Sequence, residues 1–348
     1  MAYTTINKST DYFNTKIYTG NGSTNAQTGV GFEPSLTWLK ARSYSDSHAL
    51  YDAVRGVTKR IQTTGTTTEG TVANSLTSFN SDGFTLGSDG QANSNNDTYA
   101  SWNWRAGTSS GISAGSQTIY PGAYSINTTA GFGIYKYLGN GTAGATISHG
   151  LGDTVDFVIV NGLDNNEAWQ VISKGMDADK FIQINADAQI SQGSYNMFNS
   201  TRPSSTVVTL GNQNHTNANG QNYIMYCFAS KTGFSKFGSY TGNGSSDGTF
   251  VYTGFKPAFV MVKRTDNTNH WAMYDNKRNG FNDENNYLRA EGNYAEGNET
   301  WGDLDILSNG FKPRAVDGMH NASGGTYIYI AFAEAPLVGT NNVPCTAR

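Results

Sequence analysis

Charge is scarce in this chain. Asp, Glu, Lys and Arg make up 14% of its 348 residues, against about 25% in an ordinary soluble domain. The 23 basic and 27 acidic residues leave a formal net charge of −4 with no basic stripe. That leaves little to neutralise a phosphate backbone, and nucleic acid is not expected as a partner. Cysteine is scarcer still. Cys227 and Cys345 stand far apart, one in an apolar run and one near the C-terminus, and read as two unrelated small residues rather than a disulfide. No stretch comes near about eighteen consecutive apolar residues, so a spanning helix and membrane insertion are not expected. Residues 1–11 lack the charged and apolar regions of a secretory signal. Synthesis in the cytoplasm is expected, with any exterior location reached inside an assembled particle or by lysis.

What replaces charge is Gly, Asn, Ser and Thr together with 12% aromatic residues. The aromatic share argues against disorder, because Tyr, Phe and Trp bring the apolar area that disordered segments lack. With seven prolines, abundant turn formers and almost no Glu-Lys-Leu runs, the composition predicts an all-β protein with many tight turns.

The chain is punctuated three times by one signature: YTGNGS at 18–23, YLGNGT at 137–142 and YTGNGS at 240–245. Similar text follows each copy. GFEPSLTWLKAR (31–42) and GFKPAFVMVKR (254–264) match closely, and GLGDTVDFVIVNG (150–162) keeps the apolar strand with Asn161 in place of Lys40 and Lys263. HALYDAVRG, AWQVISKG and HWAMYDNKRNG come next, and each unit closes on a dense apolar strand, clearest at 326–336. Here Ile328, Ile330 and Phe332 alternate with Tyr327 and Tyr329, so both faces are apolar and a central strand is expected. A period of roughly a hundred residues exceeds any solenoid repeat. The expected organisation is an N-terminal arm (1–16) and three tandem antiparallel β-sandwich domains of jelly-roll or lectin-like type: 17–111, 112–235 and 236–348. Junctions are expected at 112–133 and 230–239. The Asn-Gly pairs of the signature predict type I′ hairpins, and Asp82-Gly83 predicts a hairpin between strands marked by Phe79 and Phe84.

Catalytic and metal-binding patterns are missing. His48, His149, His215, His270 and His320 sit in five different contexts without a paired ligand, with His48 and His270 in nearly corresponding places before the aromatic strand, and no nucleophile elbow or phosphate loop occurs. No cofactor, metal or catalytic residue is expected. Asp177, Asp179 and Asp247 read as solvated turns, and Asp283 and Glu284 are adjacent carboxylates. Asp303 and Asp305, two apart on a strand, share a face beside Trp301 and fit a sugar cleft better than a hydrolytic pair, since neighbours on one strand do not straddle a bond. Sugars are held by aromatic faces and by amide or carboxylate hydrogen bonds. Tyr294, Trp301, Asp303 and Asp305 are therefore the candidate glycan-binding residues, with Tyr44 and Tyr195 as further loop aromatics, while Trp38, Trp169 and Trp271 on the repeated strands read as core.

The opening AYTTINKSTDYFNTKIYTGNGST, the phrase GFEPSLTWLKARSYSDSHALYDAVRG, the SFNSDGFTLG hairpin and the ending YIAFAEAPLVGTNNVPCTAR together resemble a repeat family found in virion proteins of tailed phages. Those of marine and cyanobacterial hosts are the most similar, and they are often described as tail-fibre or concanavalin-like lectin domain proteins. The resemblance is strong in the first and third units and weak in the second, and it brings no catalytic residues. It implies a non-enzymatic structural protein on the virion exterior: a tail-fibre or adhesin-like element contacting host surface carbohydrate, or alternatively a capsid decoration protein. A polysaccharide depolymerase is a further alternative. Partners would be other virion proteins and further copies of the chain in a homo-oligomer.

Overall fold

A computed structural model describes residues 3–112, 117–191, 196–283, 285–338 and 345. The chain is all-β. Each repeat contributes one large sheet, with four strands in a common order: signature strand, closing strand, second strand, third strand. In repeat one these are Phe13–Thr19, Thr98–Trp104, Leu36–Ala41 and Ala49–Asp52. Repeat two uses Phe132–Leu138, Asn222–Phe228, Phe157–Gly162 and Gln170–Ser173, and repeat three uses Ser235–Thr241, Thr326–Pro336, Phe255–Arg264 and Trp271–Asp275. The pairings within them are antiparallel. The closing strand lies between two partners in every sheet, as the two apolar faces of Tyr327–Phe332 require.

Period-two alternation gives each closing strand two jobs. Tyr223, Met225 and Cys227 point to a core beneath a small outer sheet, while Ile224, Tyr226 and Phe228 point the opposite way into a second core. In repeat one, Tyr99 faces the outer core and Ala100, Trp102 and Trp104 the other. The outer sheets are Asn25–Gln27 with Gly83–Leu86 and Leu76–Asn80, Ala145–Ser148 with Val207–Leu210, and Val251–Tyr252 with Gly310–Pro313 and Leu304–Leu307. The expected hairpin forms, with Phe79 paired to Phe84, but its two-residue turn is Ser81-Asp82, and Gly83 opens the second strand opposite Asn80.

The inward faces of all three large sheets meet in one shared core. Trp104, Phe228 and Phe332 occupy the same register position, opposite Leu36, Phe157 and Phe259 respectively. Their rings touch pairwise, with centroids 6.4, 5.6 and 5.9 Å apart. Three equivalent residues in mutual contact define a pseudo-threefold axis within one chain. A backbone hydrogen bond repeats around it. Glu69 donates to Leu163 at 3.0 Å, Ile190 to Thr265 at 3.0 Å and Glu296 to Arg42 at 2.9 Å, each acceptor directly following a second strand. Repeat one thus reaches two, two reaches three and three reaches one, so the ring is closed. Residues near the N-terminus also bind repeat three and the junction before it: Tyr3 donates to the Gly254 carbonyl at 2.6 Å, Thr4 to that of Thr232 in the junction at 2.7 Å, and Phe13 stacks on Phe332 at 5.0 Å.

The signature is not a hairpin. Its strand pairs with the closing strand, and the chain then crosses to the outer sheet. Only the second glycine has positive φ (63° at Gly22, 69° at Gly141, 64° at Gly244), whereas a type I′ turn needs it at Asn as well. The turn is held instead by a buried asparagine from a short helical or turn segment: Asn93, Asn217 or Asn321. The Asn93 amide donates to Asn21 Oδ1, the Ser23 carbonyl and the Gly87 carbonyl, and its Oδ1 accepts from the Asn21 backbone. Asn217 and Asn321 repeat all four bonds. The first glycine is required by close approach, since a Cβ on Gly20 would lie 2.1 Å from the Ser94 carbonyl oxygen. The signature tyrosines stack on closing-strand tyrosines, Tyr18 on Tyr99, Tyr137 on Tyr223 and Tyr240 on Tyr327, at 5.0, 5.2 and 5.0 Å.

Two further differences from the sequence reading concern boundaries. The strand Phe13–Thr19 runs across residues 16 and 17, and the strand Ala123–Asn127, inside the expected junction at 112–133, joins the sheet of repeat two as an extra edge.

Candidate functional site

Segments before and after the third strands converge from all three repeats on one open pocket, termed axial because every repeat contributes to it. Ser47 and Thr64 of repeat one, Asn185 and Asp187 of repeat two, and His270, Glu291 and Tyr294 of repeat three line a cavity of about 480 Å³, within the range of small-ligand sites. The same local device builds two of its walls. The Trp271 backbone donates to Glu291 Oε2 at 3.0 Å, and the equivalent Trp169 backbone donates to Asn185 Oδ1 at 3.0 Å. Bonds between repeats then lock the rim: Asn185 Nδ2 to the Gly65 carbonyl, Thr63 Oγ1 to the Ala290 carbonyl, and the Asn269 backbone to the Asp187 carbonyl. A rim fixed in this way loses little conformational freedom when a ligand enters.

Repeat three supplies the chemistry. Glu291, 7% exposed, holds Nδ1 of His270 and leaves Nε2 as the ring nitrogen available to a ligand. Tyr294 is 52% exposed. One of its faces rests on the Arg289 guanidinium, 4.7 Å from the ring centroid, and its ring stands 6.3 Å from that of His270. An exposed aromatic plate, an imidazole nitrogen, an amide and carboxylates thus border one space.

The four sequence-derived residues are spread over two places. Tyr294 lies in the axial pocket. Trp301, on the 3-10 turn Thr300–Gly302, packs at 5.1 Å on Tyr287, which shares Arg289 with Tyr294. Asp305 lies on the outer strand Leu304–Leu307, whereas Asp303 caps the preceding 3-10 turn and stands outside the strand expected to hold it; both approach Asp283. Burial raises the Asp303 carboxyl first and the charge of Asp283 second, and Oδ1 of Asp303 is enclosed without a hydrogen-bond partner. Asp305 is likewise raised by burial and then by a hydrogen bond to Asp283, and its Oδ2 stands 3.4 Å from Arg314 Nε. Asp247 is paired with Lys312 and Arg314. Tyr44 is bonded to Tyr99 and the Gly90 carbonyl, so it is tied into the outer core of repeat one. Tyr195 and Glu284 fall outside the described residues.

Three histidines are bonded into the frame. His48 accepts from Trp38 Nε1 at 2.7 Å and faces the Arg289 carbonyl at 2.9 Å through Nε2, while burial, then Lys40, holds its pKa well below the usual value. His149 bridges the Leu151 backbone and the Ser204 carbonyl, and His215 pairs with Glu167 at 3.0 Å. Strand register places His48 level with Trp271, so His270 is equivalent to Ser47, one residue earlier. The sequence missed the His270–Glu291 pair because each residue is ordinary in its own stretch. The signal that could have found it is the shared role of Glu291 and Asn185 after the third strand. Among the described residues no cluster of His, Cys, Asp or Glu suits a metal ion, and no helix is long and apolar enough to cross a membrane.

A family model described as a domain of unknown function (DUF7483) matches residues 8–336. No curated protein and no solved structure matches the chain.

Proposed function

The chain belongs to the DUF7483 family, whose function is unknown, and from that premise we propose that it is a non-enzymatic structural protein of an outer phage virion. In this reading it is a tail-fibre or adhesin-like component, built of three sandwich-like modules, that contacts host surface glycans. The observation that carries the glycan part is the axial pocket: a half-exposed Tyr294 backed by Arg289, beside His270, Glu291 and Asn185, in a rim contributed by three repeats. Sugar rings present apolar C–H faces to aromatic plates and hydroxyls to amide and carboxylate groups, and this pocket offers both. The virion setting is supported by the resemblance of the signature, the SFNSDGFTLG hairpin and the C-terminal text to tailed-phage proteins.

The reading is tested by binding the full chain to a glycan panel and to host cells. Tyr294→Ala and Glu291→Gln are expected to weaken binding at least about tenfold, equal to about 1.4 kcal/mol, and free chain is expected to block infection. Absence of binding to any host cell or glycan would overturn it.

One observation favours a second reading, capsid decoration. A single chain already forms a closed ring of three equivalent sheets, which suits a threefold position on a shell without further assembly. Binding to empty capsids in fixed stoichiometry, with a gain in their heat resistance, would select it over the adhesin.

A further inference from the structure

We infer that the chain carries a second binding site, separate from the axial pocket, that takes an anionic saccharide. The site is a groove of about 640 Å³ between repeats two and three, along the outer edge of the signature strand Ser235–Thr241. Its origin is topological. In repeat two the same edge is covered by the strand Ala123–Asn127, whereas in repeat three the signature strand ends its sheet and the edge is left open.

The lining has two features that ordinary surface lacks. Phe250 and Tyr252 are 44% and 47% exposed, and Tyr3 is 36% exposed, so three of the large apolar side chains left in solvent share this one groove. Clustered exposed aromatics are unfavourable in water unless something covers them. Tyr3 is fixed by its bond to the Gly254 carbonyl, and Tyr252 is fixed by Lys236, which donates to its carbonyl at 2.8 Å and lies 5.0 Å from its ring centroid. The second feature is charge of one sign. Lys174, Lys231 and Lys236 line the groove, and no Asp or Glu does so among the described residues. Lys231 and Lys174 reach Asp153 and Asp156 outside the lining. Burial and then the charge of Lys174 lower the pKa of Lys236. A carboxylate or sulfate between Lys174 and Lys236 would relieve that repulsion while the sugar face covers Phe250 and Tyr252.

The inference does not depend on the axial pocket binding sugar. The test is calorimetric titration of the full chain with an oligogalacturonate, a sulfated dextran oligosaccharide, neutral maltohexaose and an oligothymidylate. Either acidic sugar is expected to bind, at least about tenfold more tightly than maltohexaose, with affinity falling as salt rises. The uronate and sulfate arms tell which anion is preferred. Lys174→Ala, whose side chain is 62% exposed, and Tyr252→Ala are each expected to weaken binding about tenfold when compared with a Tyr294→Ala parent, in which the axial pocket does not contribute. Three outcomes each overturn the proposal: equal binding of neutral and acidic sugars with the Lys174 variant unaffected, tighter binding of the oligothymidylate, or no acidic sugar bound at millimolar concentration.

Discussion

The hydroxyl of Tyr226 donates to Oδ2 of Asp52 at 2.7 Å across the seam between repeats two and one. Across the seam between repeats one and three, Nε1 of Trp102 donates to Oδ2 of Asp275 at 3.0 Å. The donors are equivalent residues of closing strands and the acceptors are equivalent ends of third strands. Each aspartate also holds a buried arginine three residues on, Arg55 or Arg278, and all four charged side chains are fully buried. At the third seam the same positions are occupied by Ile330, Ser173 and Met176. One chain therefore contains both a charged and an uncharged solution to a single packing problem.

That pairing makes the cost of the buried charges measurable. Asp52→Ser alone leaves the buried Arg55 guanidinium with only the longer pair to Glu69, at 3.3 Å, and is expected to destabilise the chain by about 3 kcal/mol, because a buried charge loses its closest counter-ion. Tyr226→Phe removes one donor and is expected to cost about 1–3 kcal/mol. The triple variant Asp52→Ser, Arg55→Met, Tyr226→Ile copies the third seam and is expected to recover most of the loss. Urea denaturation of the single and triple variants gives the coupling directly. A triple variant as unstable as the sum of its parts would show that the uncharged seam depends on its own surroundings.

The signature turn offers a second test. Asn93 satisfies three acceptors and one backbone donor at once, so Asn93→Ala is expected to cost about 2–4 kcal/mol, more than an isolated hydrogen bond. Gly20→Ala is expected to be similarly damaging, because its Cβ would meet the Ser94 carbonyl at 2.1 Å. Gly56→Ala is the contrast: its φ of 95° strains an alanine, but nothing lies within 4 Å of the added atom. Its loss is expected to be about 1–2 kcal/mol, as for strain alone. Thermal melting of the three variants ranks them.

Stability is expected to rise from acid to mildly alkaline pH. Burial lowers His320 to about 4 and pushes His48 well below its usual value, so folding favours the neutral rings. Their folded pKa values lie below the unfolded ones. The stability they contribute is complete above about pH 6.5 and is lost as the pH falls toward about 4, with His320 alone worth up to about 3 kcal/mol. Burial likewise lowers Lys40 and Lys263 from 10.5 to about 8. Their contribution is complete only above about pH 10.5 and fades as the pH falls through 8. Buried tyrosines such as Tyr18 and Tyr137 are raised, so their contribution persists until the pH climbs well past 10. Melting temperatures at about pH 5, 7 and 9 should therefore increase in that order. Lys40→Met with Lys263→Met should flatten the step between the last two.

Much of this architecture was legible in the residues. The triple signature, the closing strand with two apolar faces and the hairpin that pairs Phe79 with Phe84 report on local periodicity, which sequence carries directly. The Asn-Gly turn was misread because its partner, Asn93, lies about seventy residues away, and a short-range turn rule cannot see a clamp supplied by another segment. The aromatic ring of Trp104, Phe228 and Phe332 was hidden for a related reason. Each residue reads as an ordinary core position of its own repeat, and only the ring closure shows that one core serves three. Tyr294 was found as a loop aromatic, but His270 and Glu291 acquire meaning only when Asn185 and Thr64 arrive from other repeats.

The shared core leads to a last expectation, about cooperativity. Three tandem domains with separate cores would melt nearly independently, and each would survive excision. Here Trp102 and Trp104 of repeat one, Phe157 and Phe228 of repeat two, and Phe259 and Phe332 of repeat three are buried against one another, and every seam is closed by the backbone bond following a second strand. Removing one repeat would expose the inward faces of the other two sheets, a larger apolar patch than a soluble monomer carries. Calorimetry of the whole chain is expected to give one transition with a calorimetric to van't Hoff enthalpy ratio of about one, whereas independent domains would give about three. Residues 112–235 expressed alone are expected to aggregate or to lack near-ultraviolet dichroism. A soluble, cooperatively folding fragment would mean that the outer core beneath Ala145–Ser148 and Val207–Leu210 suffices for folding, and that the axial core adds association rather than structure.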